Sequence, residues 1–348
     1  MDETAARNGK RRWFVLGAAL GAAGGLAAWV ARRRGGEAAP ATGAVGQVVG
    51  DEEFFADERF IREGWREAAI DGWRTRIFDR GEGDPILFVP IIKGLETVYA
   101  KQLRAFAATN RVLLYERTES LDHPVAVGAR AEELRKVLDH LDIARAHLVA
   151  LGDAGIVAFA FAREYTHRCR SLAALCAGPR YRVPPTWLNE GIINPLFARL
   201  PVERVLPDRV VRAKVLKGLT NSGPLPPHLV GRMLDVMPEQ VRLYKYSILP
   251  VTHDHEMRDW AHMLHLPVLL IDRDDDPVAP VADLEELAAL LPQCYGLHVL
   301  RDGGRFTTYT HAGEVDRLLR EFYDKLDAEG ARPAASPKTS LGTGPPAA

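Results

Sequence analysis

His147-Leu148-Val149-Ala150-Leu151-Gly152-Asp153-Ala154-Gly155 opens as a short, continuously apolar run and leads into residues 157–165, whose apolar positions recur at helical period. A run without polar alternation suits a strand covered on both faces, as in a parallel sheet. The stretch therefore reads as strand, sharp turn and helix. Residues 86–89, 112–115 and 172–177 are runs of the same kind, and residues 130–141 carry a second helical period between them. Strand and helix thus alternate in the βαβ manner. Ahead of them, residues 66–71 and 73–79 alternate in polarity around Asp71-Gly72, a strong hairpin signal.

The alternation breaks across residues 181–262, where proline-punctuated helical pieces carry Trp187, Ile192, Leu196, Phe197, Leu229 and Met233. It resumes with a strand at 268–271, a helix at 283–291, a strand at 297–300 and a helix at 314–326. The expected fold class is α/β, with a mostly parallel central sheet, helices on both faces and an inserted helical cap.

Leu266-Pro267-Val268-Leu269-Leu270-Ile271, followed by Asp275-Asp276-Pro277-Val278, is similar to the seventh strand and acid loop of the α/β-hydrolase family. Residues 297–306, followed by His311-Ala312-Gly313-Glu314-Val315, resemble its last strand, histidine loop and final helix. The resemblance covers residues 60–326 and implies an α/β-hydrolase fold with a Ser-His-Asp triad at the carboxyl edge of the sheet.

Carried over residue by residue, the triad is incomplete. The family's nucleophile elbow needs small residues two before and two after the nucleophile, and Ala150 and Ala154 fit with Gly152 between them. Glycine has no side chain to attack with. Asp276 matches the acid. Gly303-Gly304-Arg305-Phe306 stands where the family reads Gly-Gly-His-Phe, so a guanidinium that does not deprotonate replaces the general base. Pairing of Arg305 with Asp276, or with another carboxylate of residues 272–276, is the structural role this substitution implies.

A one-residue shift makes Asp153 the nucleophile, as in haloalkane dehalogenases and epoxide hydrolases, but puts Leu151 where a small residue is wanted. His311 lies several residues past the histidine position and reads as a surface residue. The loop Pro90-Ile91-Ile92-Lys93-Gly94 lacks the His-Gly pair common in the family. Glu96, Thr97 and Tyr99 follow the third strand, either as binding residues at the pocket mouth or as a helix start with Tyr99 in the core. His253-Asp254-His255 has metal-ligand residue types without a metal-site register, so no metal and no cofactor are expected.

At the ends, residues 1–12 are basic, and residues 13–31 form an apolar stretch flanked by Lys10, Arg11, Arg12 and Arg32, Arg33, Arg34. The stretch reads as a transmembrane or signal-anchor helix, with orientation undetermined because the flanks nearly tie. Arg11-Arg12-Trp13-Phe14-Val15-Leu16 also resembles a twin-arginine export signal. Gly17, Gly21 and Gly25 share one helix face and would permit a helix-mediated homodimer. Residues 35–55 read as a flexible linker and residues 328–348 as a disordered tail. With 45 Lys and Arg against 46 Asp and Glu, there is no basic excess for a nucleic-acid partner. Three widely spaced cysteines make no disulfide or CxxC pattern. The functional expectation is a membrane-associated pseudo-hydrolase that binds an apolar small molecule or a protein partner; the alternative is an active hydrolase using Asp153.

Overall fold

The computed structural model describes residues 48–181, 186–220, 225–237, 239–253, 255–301, 304 and 306–330. The expected membrane helix (13–31), the tail from residue 331, Arg305 and Asp254 lie outside the described residues. No helix among the described residues is long and apolar enough to cross a membrane.

One correction comes at the start of the domain. Residues 51–55, expected as linker, open helix α1 (Asp51–Gly64). Phe54, Asp57, Ile61 and Gly64 are buried at helical spacing, and Asp51, Glu52 and Glu53 complement the helix dipole at its first turn.

The hairpin follows as β1 (Trp65–Ile70) and β2 (Trp73–Arg80). Its turn residues Asp71 and Gly72 both take positive φ, 46° and 79°, as the two-residue hairpin turn demands. Then come β3 (Pro85–Phe88), α2 (Ala100–Phe106), β4 (Arg111–Tyr115), α3 (Val127–His140), β5 (Ala146–Leu151), α4 (Asp153–Glu164) and β6 (Cys169–Leu175). After a helical insertion the chain returns as β7 (Val268–Arg273), α11 (Val281–Leu290), β8 (Cys294–Leu300), α12 (Thr307–Thr310) and α13 (Ala312–Gly330).

The eight strands form one sheet in the order β1-β2-β4-β3-β5-β6-β7-β8, parallel from β4 to β8, with the hairpin antiparallel at one edge. Helices α1, α2 and α13 pack together on one face, and α3 lies against α4 on the other. Every residue of β5 is buried, because it sits mid-sheet beneath both layers.

The insertion comprises α5 (Thr186–Leu188), a wide turn (Asn189–Ile193), α6 (Asn194–Arg199), α7 (Asp208–Thr220), α8 (Pro227–Asp235), α9 (Gln240–Leu243) and α10 (Leu249–Thr252). It closes at its base where Arg180 bridges Glu256 and Met257 N–H donates to Pro179 O at 2.8 Å. It reaches over the carboxyl edge of the sheet: an added Cβ on Gly94 would meet Val236 at 2.7 Å, and Val125 N–H donates to Tyr246 O at 2.9 Å.

Candidate functional site

β5 hands over to α4 at Gly152, which has φ 60° and ψ −124°. This backbone region is close to glycine-only and is the strained conformation an elbow residue adopts. The strain is held by the neighbours: Gly152 N–H donates to Leu175 O at 2.8 Å, and Ala150 and Ala154 are fully buried. A Cβ on Gly155 would lie 2.3 Å from that of Ala177, so α4 leaves the turn in close contact with the second residue after β6. A Cβ built on Gly152 meets nothing within 4 Å. The position points into open space and carries no reactive group.

Asp153, the alternative nucleophile, is the first residue of α4, and its carboxylate receives Arg117 Nη1 at 3.4 Å. Its side chain bonds an arginine and no histidine. Arg117 is buried just past β4; its Nε donates to Glu119 at 2.7 Å, and its Nη2 has no partner among the described residues. Arg130, also buried, donates to Glu119 at 3.2 Å and to Glu133 at 3.1 Å. Burial works to raise the Glu119 carboxyl, but Arg117 and Arg130 overcome it and hold the group below its ordinary range.

The loop after β3 presents amides that carboxylates already occupy. Lys93 N–H donates to Glu119 at 3.0 Å, and Gly94 N–H donates to both oxygens of Glu96, at 3.0 and 2.9 Å. Burial pushes the Glu96 carboxyl up from its ordinary value. An oxyanion hole needs such donors free and aimed at developing negative charge; here two of them point at acids. Tyr99 belongs to the core, which corrects its reading as a binding residue. It is fully buried, its hydroxyl donates to Val89 O at 3.0 Å, and it accepts Leu151 N–H at 2.9 Å, bolting β3 to β5. Glu96 and Thr97 are buried beside it in the same turn.

Asp276 sits in the loop after β7, buried, with one oxygen accepting Val278 N–H at 2.7 Å and Ala279 N–H at 3.2 Å. Its other oxygen faces Arg273 Nε at 3.5 Å, while Arg273 Nη1 reaches Asp275 at 2.9 Å. Arg273, at the end of a strand, was not among the candidates drawn from the sequence. A second carboxylate, Asp272, is buried, and burial together with Asp276 pushes it well above the ordinary range. Cys176, Asp272 and Asp276 bring ligand atoms within 4.8 Å of one another. Burial and the two aspartates push the Cys176 thiol well up from its ordinary value, which works against the thiolate a nucleophile needs. The Arg273 guanidinium already supplies positive charge to this group.

His311, expected at the surface, is buried, and its Nε2 lies 2.7 Å from Arg301 O. His255 Nε2 lies 3.1 Å from Gly178 O, where the insertion begins. Above the Arg117 network a cavity of about 300 Å³ is lined by Trp73, Arg74, Lys93, Glu116, Leu121 and Leu243, with Arg117 in its wall. Glu116 closes one side by accepting Arg76 and Lys93, at 2.8 and 2.9 Å.

No family model matches the chain. Over 227 residues, 63% of this chain and 74% of its relative, it is 26% identical to a poly(3-hydroxyalkanoate) depolymerase of Ectopseudomonas oleovorans. Over 247 residues, 68% and 73% of the two chains, it is 24% identical to maspardin of Homo sapiens. An esterase of Thermogutta terrifontis superposes with a TM-score of 0.61 at 20% identity, covering 75% of this chain and 98% of that one. The chain has the α/β-hydrolase fold. Within this α/β-hydrolase fold, Gly152 occupies the elbow between β5 and α4, and Asp276 the loop that follows β7.

Proposed function

We propose that this chain of α/β-hydrolase fold is non-hydrolytic and acts as a binding protein, with the cavity beside Arg117, which the insertion borders through Leu243, as the ligand site. The observation that carries this reading is Gly152: the elbow keeps its strained backbone while the nucleophile is missing. The occupied amides of Lys93 and Gly94 support it, since a tetrahedral oxyanion there would meet Glu96 and Glu119. The cavity is more charged than an apolar ligand alone would need. A small molecule with an apolar part against Trp73, Leu121 and Leu243 and a polar head near Lys93 and Arg74 suits it better. Residues 13–31 would hold the protein at a membrane, either as a single-pass anchor or as a twin-arginine-like export signal.

The test is incubation of the purified full-length chain with short-chain chromogenic esters, an epoxide and a haloalkane, and with a fluorophosphonate probe. No turnover and no labelling are expected. Labelling at any serine would overturn the non-hydrolytic reading, and epoxide or haloalkane turnover lost in Asp153→Asn would assign the chemistry to Asp153.

A further inference from the structure

The exposed apolar surface is concentrated in one segment. Among the described residues nine large apolar side chains are exposed, and six of them, Trp187, Ile192, Leu196, Leu200, Val205 and Val210, fall within 24 residues of the insertion. Single exposed apolar residues are ordinary, but a cluster of this kind marks a contact surface.

The helix geometry places the first three on one side. Trp187 and Ile192 are five apart, the spacing that returns to the same face across the wide turn Asn189–Ile193. Ile192 near the end of that turn and Leu196 on α6 are four apart and share a face, and Leu200 follows as the extended residue that ends α6. The opposite side is anchored inward. Phe197 meets the Tyr244 ring edge-on at 5.6 Å, Tyr244 Oη donates to Asn194 Oδ1 at 3.3 Å, and Lys245 Nζ donates to Leu200 O at 2.8 Å. The outward face is therefore anchored from behind, and nothing among the described residues covers it.

Its polar residues indicate the occupant. Arg199, Arg204 and Arg209 are exposed and pair with no acid among the described residues. Of the nearby acids, Glu203 is held inward by Lys245 at 2.8 Å, and Asp208, though exposed, accepts the Val241 N–H at 3.1 Å, which leaves the arginines in excess. A tryptophan and branched aliphatics interspersed with arginines suit the headgroup boundary of a phospholipid bilayer, where apolar groups enter the acyl region and guanidinium groups meet phosphates. The chain also carries the uncharged run of residues 13–30, and the residues between 31 and 48 can span at most about 60 Å, which keeps the domain within reach of the same membrane.

We infer that the outer face of the insertion, from Trp187 to Val210, docks on the surface of a phospholipid bilayer. The inference extends the membrane-held reading; the docking face itself is drawn from the described residues, and the tether of residues 13–48 adds to the choice of occupant. It is tested with the full-length chain on vesicles of phosphatidylcholine and phosphatidylglycerol, with and without dibrominated phosphatidylcholine, comparing wild type with Trp187→Phe. The difference between the two isolates Trp187 emission from the other tryptophans. Loss of that emission in brominated vesicles, and its recovery in Ile192→Asp/Leu196→Asp with unchanged circular dichroism and unchanged co-sedimentation, is the expected result. Co-sedimentation without quenching of Trp187 overturns the docking face while leaving the anchor of residues 13–31 intact. Failure to co-sediment overturns both. A concentration-dependent dimer in sedimentation velocity, abolished by Ile192→Asp with Trp187 unquenched, reassigns the face to self-association.

Discussion

Placing a hydroxyl at the elbow, Gly152→Ser, separates missing nucleophile from missing machinery. The new Cβ meets nothing within 4 Å, so the substitution causes no clash. What it costs is backbone strain: at φ 60° and ψ −124° an L-residue is disfavoured by about 1–3 kcal/mol. At roughly 2 °C per kcal/mol for a domain of this size, Tm should fall by about 2–6 °C. Gly152→Ala should fall equally, because it shares the strain without the hydroxyl. Activity should not appear. On the proposed non-hydrolytic reading Arg305 replaces the family's histidine, while Asp153 next to the new serine bonds Arg117 and His311 is turned to Arg301 O. Without a base the hydroxyl stays protonated and a poor nucleophile. The assays are differential scanning fluorimetry, p-nitrophenyl butyrate hydrolysis and fluorophosphonate labelling. Ester turnover by Gly152→Ser, abolished by substitution of any one histidine, would refute the reasoning by showing a base within reach of residue 152.

Three further outcomes are expected. Tyr99→Phe should destabilise the fold by about 2–4 kcal/mol in urea unfolding, since it leaves Leu151 N–H and Val89 O buried and unpaired; a loss under about 0.5 kcal/mol would contradict the bolt assigned to it. Arg273→Ala removes a buried cation from Asp275 and Asp276 and should cost about 3–5 kcal/mol, whereas stability unchanged from wild type would show that the pair holds nothing together. Burial pushes the His147 imidazole down to about 4 from its ordinary 6.5. Between those values the unfolded chain binds the extra proton, so folding stability should fall as pH drops from about 6.5 to about 4, by up to about 3 kcal/mol. His147→Gln should flatten that part of the stability-against-pH curve, and an unaltered slope would place the titration elsewhere.

The sequence alone determined the alternation of buried strands with helices, the Asp71-Gly72 hairpin, the elbow at Gly152 and the insertion ahead of β7. These are local matters: side-chain period, turn chemistry and steric room at one backbone position all act over a few residues. Helix α1 was missed because its buried face, Phe54, Asp57 and Ile61, lies against a linker-like composition and is covered only by distant parts of the chain, Arg104 and Tyr309 reaching Asp57 at 2.8 Å each. The charged site was equally illegible. Arg117, Glu119, Arg130 and Asp153 are spread over 37 positions of an evenly charged sequence, and nothing local says that two of these arginines are buried and share one glutamate. His311 looked like a surface residue because its buried setting comes from the packing of α12 and α13 beneath the strand end at Arg301. Only the tertiary structure could decide which charges lose their water and therefore need partners, because desolvation depends on what folds over a residue from elsewhere in the chain.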